Sequence, residues 1–380
     1  MRVVAIETFA VAPRWLFLRV ETDEGIVGWG EPVLEGHAEI IETAVHALAE
    51  HLIDSDPLLI EDHWQVMTKS GFYRGGPVFS SAVAGIDQAL WDIAGKARGV
   101  PVHELIGGPV REAVRVYAWI GGDEPSEVSE HAMARIAEGF TALKMNIAGR
   151  LSPFASQSEL RSIVARVCAV REAIGPDPDL AVDFHGRVSV PMARRLISEL
   201  EDLNLLFVEE PVPPEHLGAL ASLVDTTRTP LACGERLYSR WEFEPVLRAG
   251  IAVAQPDVSH AGGISEVRRI GAQAELHGAL LAPHCPLGPI ALAASMQLDV
   301  ATPNFLIQEQ SFGMHYGPNG LVHYLVDASV FDREGGRVPR LTKPGLGIEI
   351  DEGEVRKASE TGHKWRTPLW RHEDGSLADW

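Results

Sequence analysis

Six ionisable residues recur along the second half of the chain at nearly constant spacing. The intervals between them are 26, 26, 22, 27 and 25 residues, and the residues are Asp183, Glu209, Glu235, Asp257, His284 and Glu309. Each stands at or just after the end of a short apolar run and is therefore expected at the carboxyl end of a strand. A single acidic residue in such a place often only caps the following helix. Six ionisable residues that recur once per strand instead predict that all of them belong to one shared site.

The first three members of this series, Asp183, Glu209 and Glu235, could together bind a divalent cation. Three carboxylates brought close together would repel one another and would be partly protonated unless a cation neutralised them. Oxygen ligands of this kind favour Mg²⁺ or Mn²⁺. A Zn²⁺ site that recruits His185 or His284 is the alternative.

Two histidines are expected at the same end of the strands. His185 lies two residues after Asp183 and so points to the same side of its strand. His284 lies one strand beyond Asp257, whose carboxylate could hold the imidazole and raise its basicity. A buried histidine is often only a satisfied core residue. Two histidines on opposite rims of one metal site indicate an acid and a base with a substrate between them.

The elements that carry these residues alternate regularly from about residue 117 onward. Short apolar runs are separated by amphipathic helical segments; the eight runs are VYAWIGG, ALKMN, LAVDFHG, LLFVEEP, PLACGE, AVAQPD, LLAPHC and NFLIQE. Strands joined through helices predict a parallel sheet. Eight such units in about two hundred residues favour a closed α/β barrel over an open doubly wound sheet.

The first hundred or so residues have a different pattern. Residues 3–10 and 15–21 predict strands, and a turn at 22–25 leads into a further strand up to residue 30. Apolar residues at helical spacing within 79–97 predict a helix that runs towards Gly99. This part is expected to form an α+β domain of its own.

After about residue 340, in the tail of the chain, the alternation of strands and helices ends. The tail's Trp365, Trp370 and Trp380 would be costly to leave in water, so the tail is expected to pack back on the amino-terminal domain. The predicted division is therefore 1–115, 116–339 and 340–380.

The net charge and the cysteines of the chain argue against several classes of protein. A net charge of −20 over 380 residues argues against sequence-independent binding to nucleic acid and against docking on an anionic membrane. The three cysteines, Cys168, Cys233 and Cys285, show no CxxC spacing and leave an odd one over, so a disulfide framework is not expected. Neither a signal peptide nor a membrane span is predicted. These observations indicate a soluble, cytoplasmic protein.

The ionisable series stands in motifs that resemble the enolase superfamily, in its mandelate-racemase-like group. The motifs VDFHG, VEEP, GER and APHCPLGP are in register with the series, and further matching stretches run from PRWLFLRVETDEGIVGWGEPV to PLWRHED. The resemblance implies a modified TIM barrel, (β/α)7β-like, under an α+β capping domain made of both chain ends. It also implies that a metal stabilises the enediolate formed when a carboxylate substrate loses its α-proton.

Within that group the chain resembles the sugar-acid dehydratases, and this implies a role for each residue. The three regularly spaced carboxylates would bind Mg²⁺. His284, supported by Asp257, would remove the C2 proton, and His185 would protonate the departing 3-hydroxyl. The enol would then give a 2-keto-3-deoxy acid, with D-galactonate as the expected substrate.

One difference from the racemase motif reduces the number of reactions that the site could catalyse. Racemase relatives carry Lys-x-Lys on the second barrel strand, where this chain has Lys144-Met145-Asn146. Asn146 cannot abstract a proton, so the second base on that side is missing, as it is in the dehydratase relatives. Lys144 could add positive charge near the substrate carboxylate. Glu309 is expected beside that carboxylate, either protonated or bridged to a donor.

Other residues are candidates for the substrate-binding wall or for mere fold contacts: Arg14, Trp15, Tyr73, Arg74 and His315. The loop GFYRGGP at 71–77 is expected to close over the sugar hydroxyls. The alternatives to a D-galactonate reaction are a dehydratase for another aldonic acid, an epimerase with His185 and His284 as opposed bases, and a non-catalytic sugar-acid-binding protein. The family and the chain length also suggest a homo-oligomer.

Overall fold

The computed structural model describes residues 1–312 and 320–380. Its amino-terminal part is an antiparallel sheet in the order β1-β2-β3, covered by helices. The strands are β1 (Val3–Val11), β2 (Trp15–Thr22) and β3 (Val27–Gly30), and the helices are α1 (Ala38–Ala49), α2 (Ile60–Lys69), α3 (Pro77–Arg98) and α4 (Val102–Leu105). The predicted strands and the predicted helix are confirmed. Gly99 ends α3 with a φ of 69°, a conformation that glycine adopts at little cost.

The third strand and the third helix approach so closely that glycine is required on the strand. A Cβ added to Gly30 would lie 1.9 Å from the carbonyl oxygen of Gly85, and one added to Gly28 would lie 2.2 Å from that of Ala89. Because both obstacles are main-chain atoms, a side-chain rotation cannot relieve the clash. The two glycines therefore set the distance between β3 and α3.

Replacing Gly30 by Ala is expected to lower the free energy of unfolding by about 3 kcal/mol, because the new methyl group pushes β3 away from α3. Chemical denaturation of the purified variant measures the change. Gly218→Ala is the matched control, since a Cβ there meets no atom within 4 Å. Equal stability of the two variants would contradict the close packing described here.

Seven parallel strands form the sheet of the barrel, in the order β11-β10-β9-β8-β7-β6-β5. A short strand, β4 (Ala113–Arg115), precedes them. The seven are β5 (Ala118–Ile120), β6 (Ala142–Asn146), β7 (Asp179–Asp183), β8 (Val208–Glu209), β9 (Leu231–Cys233), β10 (Val253–Ala254) and β11 (Leu280–Leu281). The helices are α5 (Pro125–Ala137), α6 (Gln157–Ile174), α7 (Val190–Leu200), α8 (Leu220–Val224), α9 (Arg240–Arg248), α10 (Gly263–Leu276) and α11 (Pro289–Ala301).

The eighth predicted run, at residues 304–309, closes the ring through single bridges. Phe305 bridges to Leu281 on one side, and Gln308 bridges to Val116 on the other. The backbone N–H of Leu306 donates to the carbonyl of Leu281 at 2.7 Å, which supports the first contact. The predicted closed barrel is therefore confirmed, with its last segment less regular than the other seven.

The inside of the barrel is filled by one residue from each of the eight runs. Four alanines share this cluster with four larger side chains; its members are Tyr117, Ala142, Ala181, Phe207, Ala232, Val253, Ala282 and Ile307. Side chains alternate along a strand, so the residue two positions further on also faces inward, one layer closer to the mouth. Five of those eight positions hold ionisable residues, namely Lys144, Asp183, Glu209, His284 and Glu309, and the other three hold Trp119, Gly234 and Gln255. The apolar layer lies directly beneath these polar residues and supports them.

The tail packs on both parts of the molecule. It contains β12 (Arg337–Pro339), which pairs with β4, then α12 (Glu352–Thr361), and then β13 (Trp370–Arg371) and β14 (Leu377–Ala378), which pair with each other. The helix α12 lies on β1, and the ion pair of Arg19 with Glu352 at 3.1 Å holds it there. Residues 370–380 instead lie on the barrel, because Trp370 packs on Arg187 and Trp380 on His185. The predicted domain boundaries stay a prediction. Across 1–312 and 320–380, no helix is long and apolar enough to cross a membrane.

Candidate active site

A cavity of about 630 Å³ lies at the carboxyl ends of the barrel strands. Its floor and sides carry the polar residues of the barrel. The amino-terminal part contributes Pro13, Arg14, Leu34 and Glu35, and the tail contributes Trp365, Thr367, Pro368 and Trp380. Three separate regions of the sequence thus meet around one space.

The carboxylates of Asp183, Glu209 and Glu235 converge at this cavity, which Asp183 and Glu235 line. Each offers an oxygen, and the three oxygens lie within 4.8 Å of one another. Burial raises the pKa of Asp183 to about 7 and that of Glu209 to about 8, and repulsion between the carboxylates adds to the rise although Lys144 opposes it. Asp183 and Glu209 therefore retain protons near neutral pH unless more positive charge is brought to them; burial would also raise the pKa of Glu235, but the charges of His284 and Arg236 bring it to about 2. Three buried oxygen donors with an unbalanced negative charge fit a hard divalent cation.

Lys144 joins this group to Glu309. Its ammonium lies 2.6 Å from Glu209 Oε1, 2.8 Å from Glu309 Oε1 and 3.9 Å from Asp183 Oδ2. Burial alone would raise the pKa of Glu309, but the charges of Lys144 and His284 bring it below its ordinary value. Of the two states expected for Glu309, the structure shows the one bridged to a donor. Its other oxygen accepts the backbone N–H of Cys285 at 3.0 Å.

His284 is held by the predicted partner. Its Nδ1 lies 2.7 Å from Asp257 Oδ2, and the other oxygen of Asp257 accepts the backbone N–H of Ser259 at 2.6 Å. The Nε2 atom is 3.4 Å from Glu235 and 3.7 Å from Glu309. Burial would lower the pKa of His284, but these acidic neighbours raise it well above the ordinary value for histidine. The ring is thus fixed on one side and presents its other nitrogen to the acidic centre of the cavity.

His185 has a different setting. Its backbone has a φ of 56°, and its N–H donates to Asp183 Oδ1 at 2.6 Å, while Arg236 donates to its carbonyl oxygen. The ring Nδ1 is buried and has no hydrogen-bond partner among the residues that the structure describes. Burial, together with the charges of the nearby arginines, lowers the pKa of His185 to about 4, although Glu235 opposes this shift. The two histidines therefore differ in both orientation and electrostatics.

Two regions of the chain match families of known proteins. Residues 2–107 match the mandelate racemase / muconate lactonizing enzyme N-terminal domain, and residues 127–354 match the family described as enolase C-terminal domain-like. The second match covers more than half of the chain. The chain belongs to the enolase superfamily.

Full-length relatives of this superfamily member are named D-galactonate dehydratase. One from Verminephrobacter eiseniae is 52% identical over 382 residues, and one from Ralstonia pickettii is 50% identical over 384 residues; each comparison covers 100% of both chains. The crystal structure of a mandelate racemase/muconate lactonizing enzyme from Sulfitobacter sp. superposes with a TM-score of 0.91 at 30% identity, covering 100% of both chains. A member of the enolase superfamily from Salmonella Typhimurium gives 0.87 at 31% identity, with 94% and 97% covered. The chain is similar over its whole length to hydro-lyases.

The wall residues predicted from the sequence fall into three groups in this enolase-superfamily protein. Arg14 lines the cavity, and so does Asn146. Trp15 does not, because it is wholly buried and stacks on Phe17 in the core. His315 lies outside the described residues.

Tyr73 and Arg74 are not part of the cavity wall either. Tyr73 is 88% exposed, and Arg74 donates to the carbonyl of Gly71 within its own loop. The ring of Tyr73 packs edge-on against that of Phe72, which is itself 92% exposed. With little apolar surface buried, the loop at 71–77 extends into solvent instead of closing over the barrel.

Several cavity residues were missed by the sequence analysis. His260 is buried, with Nδ1 3.4 Å from Asp257 Oδ2 and Nε2 3.4 Å from Glu35 Oε2. Its place three residues after Asp257 was a signal that could have drawn attention to it. Glu35 and Trp380 offered none, since each reaches the cavity from a distant part of the chain.

Proposed function

We propose that this protein is a Mg²⁺-dependent sugar-acid dehydratase that converts D-galactonate into a 2-keto-3-deoxy acid. The observation that carries the proposal is one cavity lined by His185, by His284 and by two members of the acidic triad, with Asp257 hydrogen-bonded behind His284. The relatives named D-galactonate dehydratase support the substrate. A homo-oligomeric state and a cytoplasmic location are part of the same proposal.

The triad of Asp183, Glu209 and Glu235 would hold the Mg²⁺ ion. The raised pKa values of Asp183 and Glu209 support this assignment, because they mark a site that lacks positive charge. When bound, such a cation acts as a Lewis acid that offsets the negative charge developing on the substrate carboxylate. Lys144 adds a second, fixed positive charge at the same place.

His284 is the proposed base. Its Nε2 faces the cavity and takes the C2 proton, while Asp257 holds the Nδ1 side of the ring and stabilises the imidazolium that forms. Glu235 is the largest of the influences that raise the pKa of this histidine. Sharing the charge of Glu235 with a cation therefore favours the neutral imidazole that proton abstraction requires.

His185 is the proposed acid. It donates a proton to the 3-hydroxyl, which leaves as water when the C3–O bond breaks, and the electron pair from the former C2–H bond becomes the C2–C3 double bond. The resulting enol takes up a proton at C3 and gives the 2-keto acid. A buried imidazolium of low pKa gives up its proton readily, and an anionic substrate beside the ring favours the charged form.

Incubation with Mg²⁺ and D-galactonate tests this proposal. We expect a 2-keto-3-deoxy product, detected as an α-keto acid and identified by NMR. A panel of other hexonates and pentonates, with and without Mg²⁺, forms the comparison. An epimer without loss of water would favour the epimerase reading. The absence of any α-keto acid across the panel would contradict dehydration.

A further inference from the structure

The two proposed proton-transfer histidines are held by different means. Asp257 fixes the His284 ring through a hydrogen bond to Nδ1. For His185 the main chain is fixed at its N–H and its carbonyl, but the buried Nδ1 has no hydrogen-bond partner within the described parts of the chain. Because no polar contact sets its side-chain torsion, packing must orient this ring.

That packing comes from the tail. The ring of Trp380 stands edge-on to the ring of His185, with centroids 5.8 Å apart and planes at 89°. Trp380 is 37% exposed, and its ring also contacts those of Trp365 at 6.0 Å and Trp370 at 6.4 Å. Edge-to-face aromatic pairs have a preferred geometry, and such contacts restrict rotation of both rings.

The tryptophan cluster is anchored on the barrel and on the amino-terminal part. On the barrel, the guanidinium of Arg187 lies 5.2 Å from the centre of the Trp370 ring, and Arg150 donates to the carbonyl of Arg371 at 2.6 Å. On the other side, Arg366 pairs with Glu39 at 2.6 Å. The position of Trp380 is therefore set from two directions.

We infer that Trp380 is a positioning residue for the elimination step, which acts by holding the His185 imidazole towards the departing hydroxyl. The inference rests on the proposed function. Removing the indole leaves His185 in place but allows its ring to rotate, so that proton transfer to the hydroxyl slows. Abstraction of the C2 proton by His284 does not depend on this contact. The enediolate then returns to substrate more often than it goes on to product.

The test compares Trp380→Ala, Trp380→Phe and Trp241→Ala with the unaltered protein, using Mg²⁺ and D-galactonate in D₂O. For Trp380→Ala, the kcat of dehydration is expected to fall about 10–100-fold, as for a misplaced reacting group. Unreacted substrate should meanwhile gain deuterium at C2 faster, relative to product formation, than with the unaltered protein. Trp380→Phe restores an aromatic edge and should recover most of the kcat.

Trp241→Ala is the matched control, because Trp241 is 58% exposed on α9 and does not line the cavity. Its rates should equal those of the unaltered protein. If Trp380→Ala lowers exchange and dehydration by the same factor, or changes neither, the inference is overturned. If the unaltered protein forms no keto acid from any sugar acid, the proposed function fails first, which is a distinct result.

Discussion

Replacing His284 by Asn is expected to abolish both exchange of the C2 proton with D₂O and formation of the keto acid. Asn can occupy a similar volume and can still donate a hydrogen bond to Asp257, but it cannot accept the proton. A positioned base contributes roughly 10²–10⁴-fold to a proton transfer, and here the later step depends on the first, so turnover should fall by at least that factor. NMR of the C2 proton in D₂O and a keto-acid assay measure the two steps separately.

The matched variant is His185→Asn, which should lose dehydration while some C2 exchange continues. The two histidines lie in one cavity, so the comparison separates a specific role from general damage to the site. Persistence of exchange in His284→Asn would show that the base has been misassigned. Loss of exchange in both variants with unchanged thermal stability would favour an obligatory coupling of the two steps.

Removal of divalent metal should reduce turnover about a thousand-fold, because a Lewis acid contributes several kcal/mol and about 4 kcal/mol corresponds to that factor in rate. Dialysis against a chelator followed by addition of Mg²⁺ measures the loss and its reversal. Asp183→Asn should show the same loss irreversibly. It keeps an oxygen that can accept the backbone N–H of His185 but removes one negative charge from the triad.

Metal binding should also be visible in thermal stability, independently of activity. A ligand at a hundred times its dissociation constant stabilises the folded state by about 2.7 kcal/mol, so Mg²⁺ should raise the melting temperature of the unaltered protein. It should not do so for Asp183→Asn. Glu130→Gln, an exposed change on α5, is the control and should respond to Mg²⁺ like the unaltered protein. An equal response from Asp183→Asn would place the cation elsewhere.

The polar residues at the carboxyl ends of the barrel strands could be predicted from the sequence, because their positions follow from the regular repeat of strands and helices. One strand, loop and helix take up about 26 residues, and side chains alternate along each strand. The positions of Asp183, Glu209 and His284 therefore follow from counting, once the barrel is recognised. In the structure Asp183 and His284 line one cavity, and Glu209 lies next to Asp183 in the acidic triad, in agreement with that count.

The walls could not be predicted in the same way. Arg14 and Trp15 are neighbours, yet the first lines the cavity and the second lies in the core, which depends on how β2 begins. Glu35 and Trp380 reach the site through contacts between distant segments, and such contacts leave no periodic pattern in the sequence. Tyr73 was a candidate for the wall because its loop was expected to close over the site, whereas packing decides where that loop lies.

The residues around the cavity come from three regions of the chain, and mutations in these regions can affect different properties of the site. Every proposed proton-transfer group and metal ligand stands on the barrel, whereas much of the surrounding wall comes from residues 13–35 and 365–380. Mutations in these two segments can change the shape of the cavity without replacing any proposed proton-transfer group or metal ligand. New binding preferences can therefore arise through changes in residues 13–35 and 365–380 while the barrel residues are preserved.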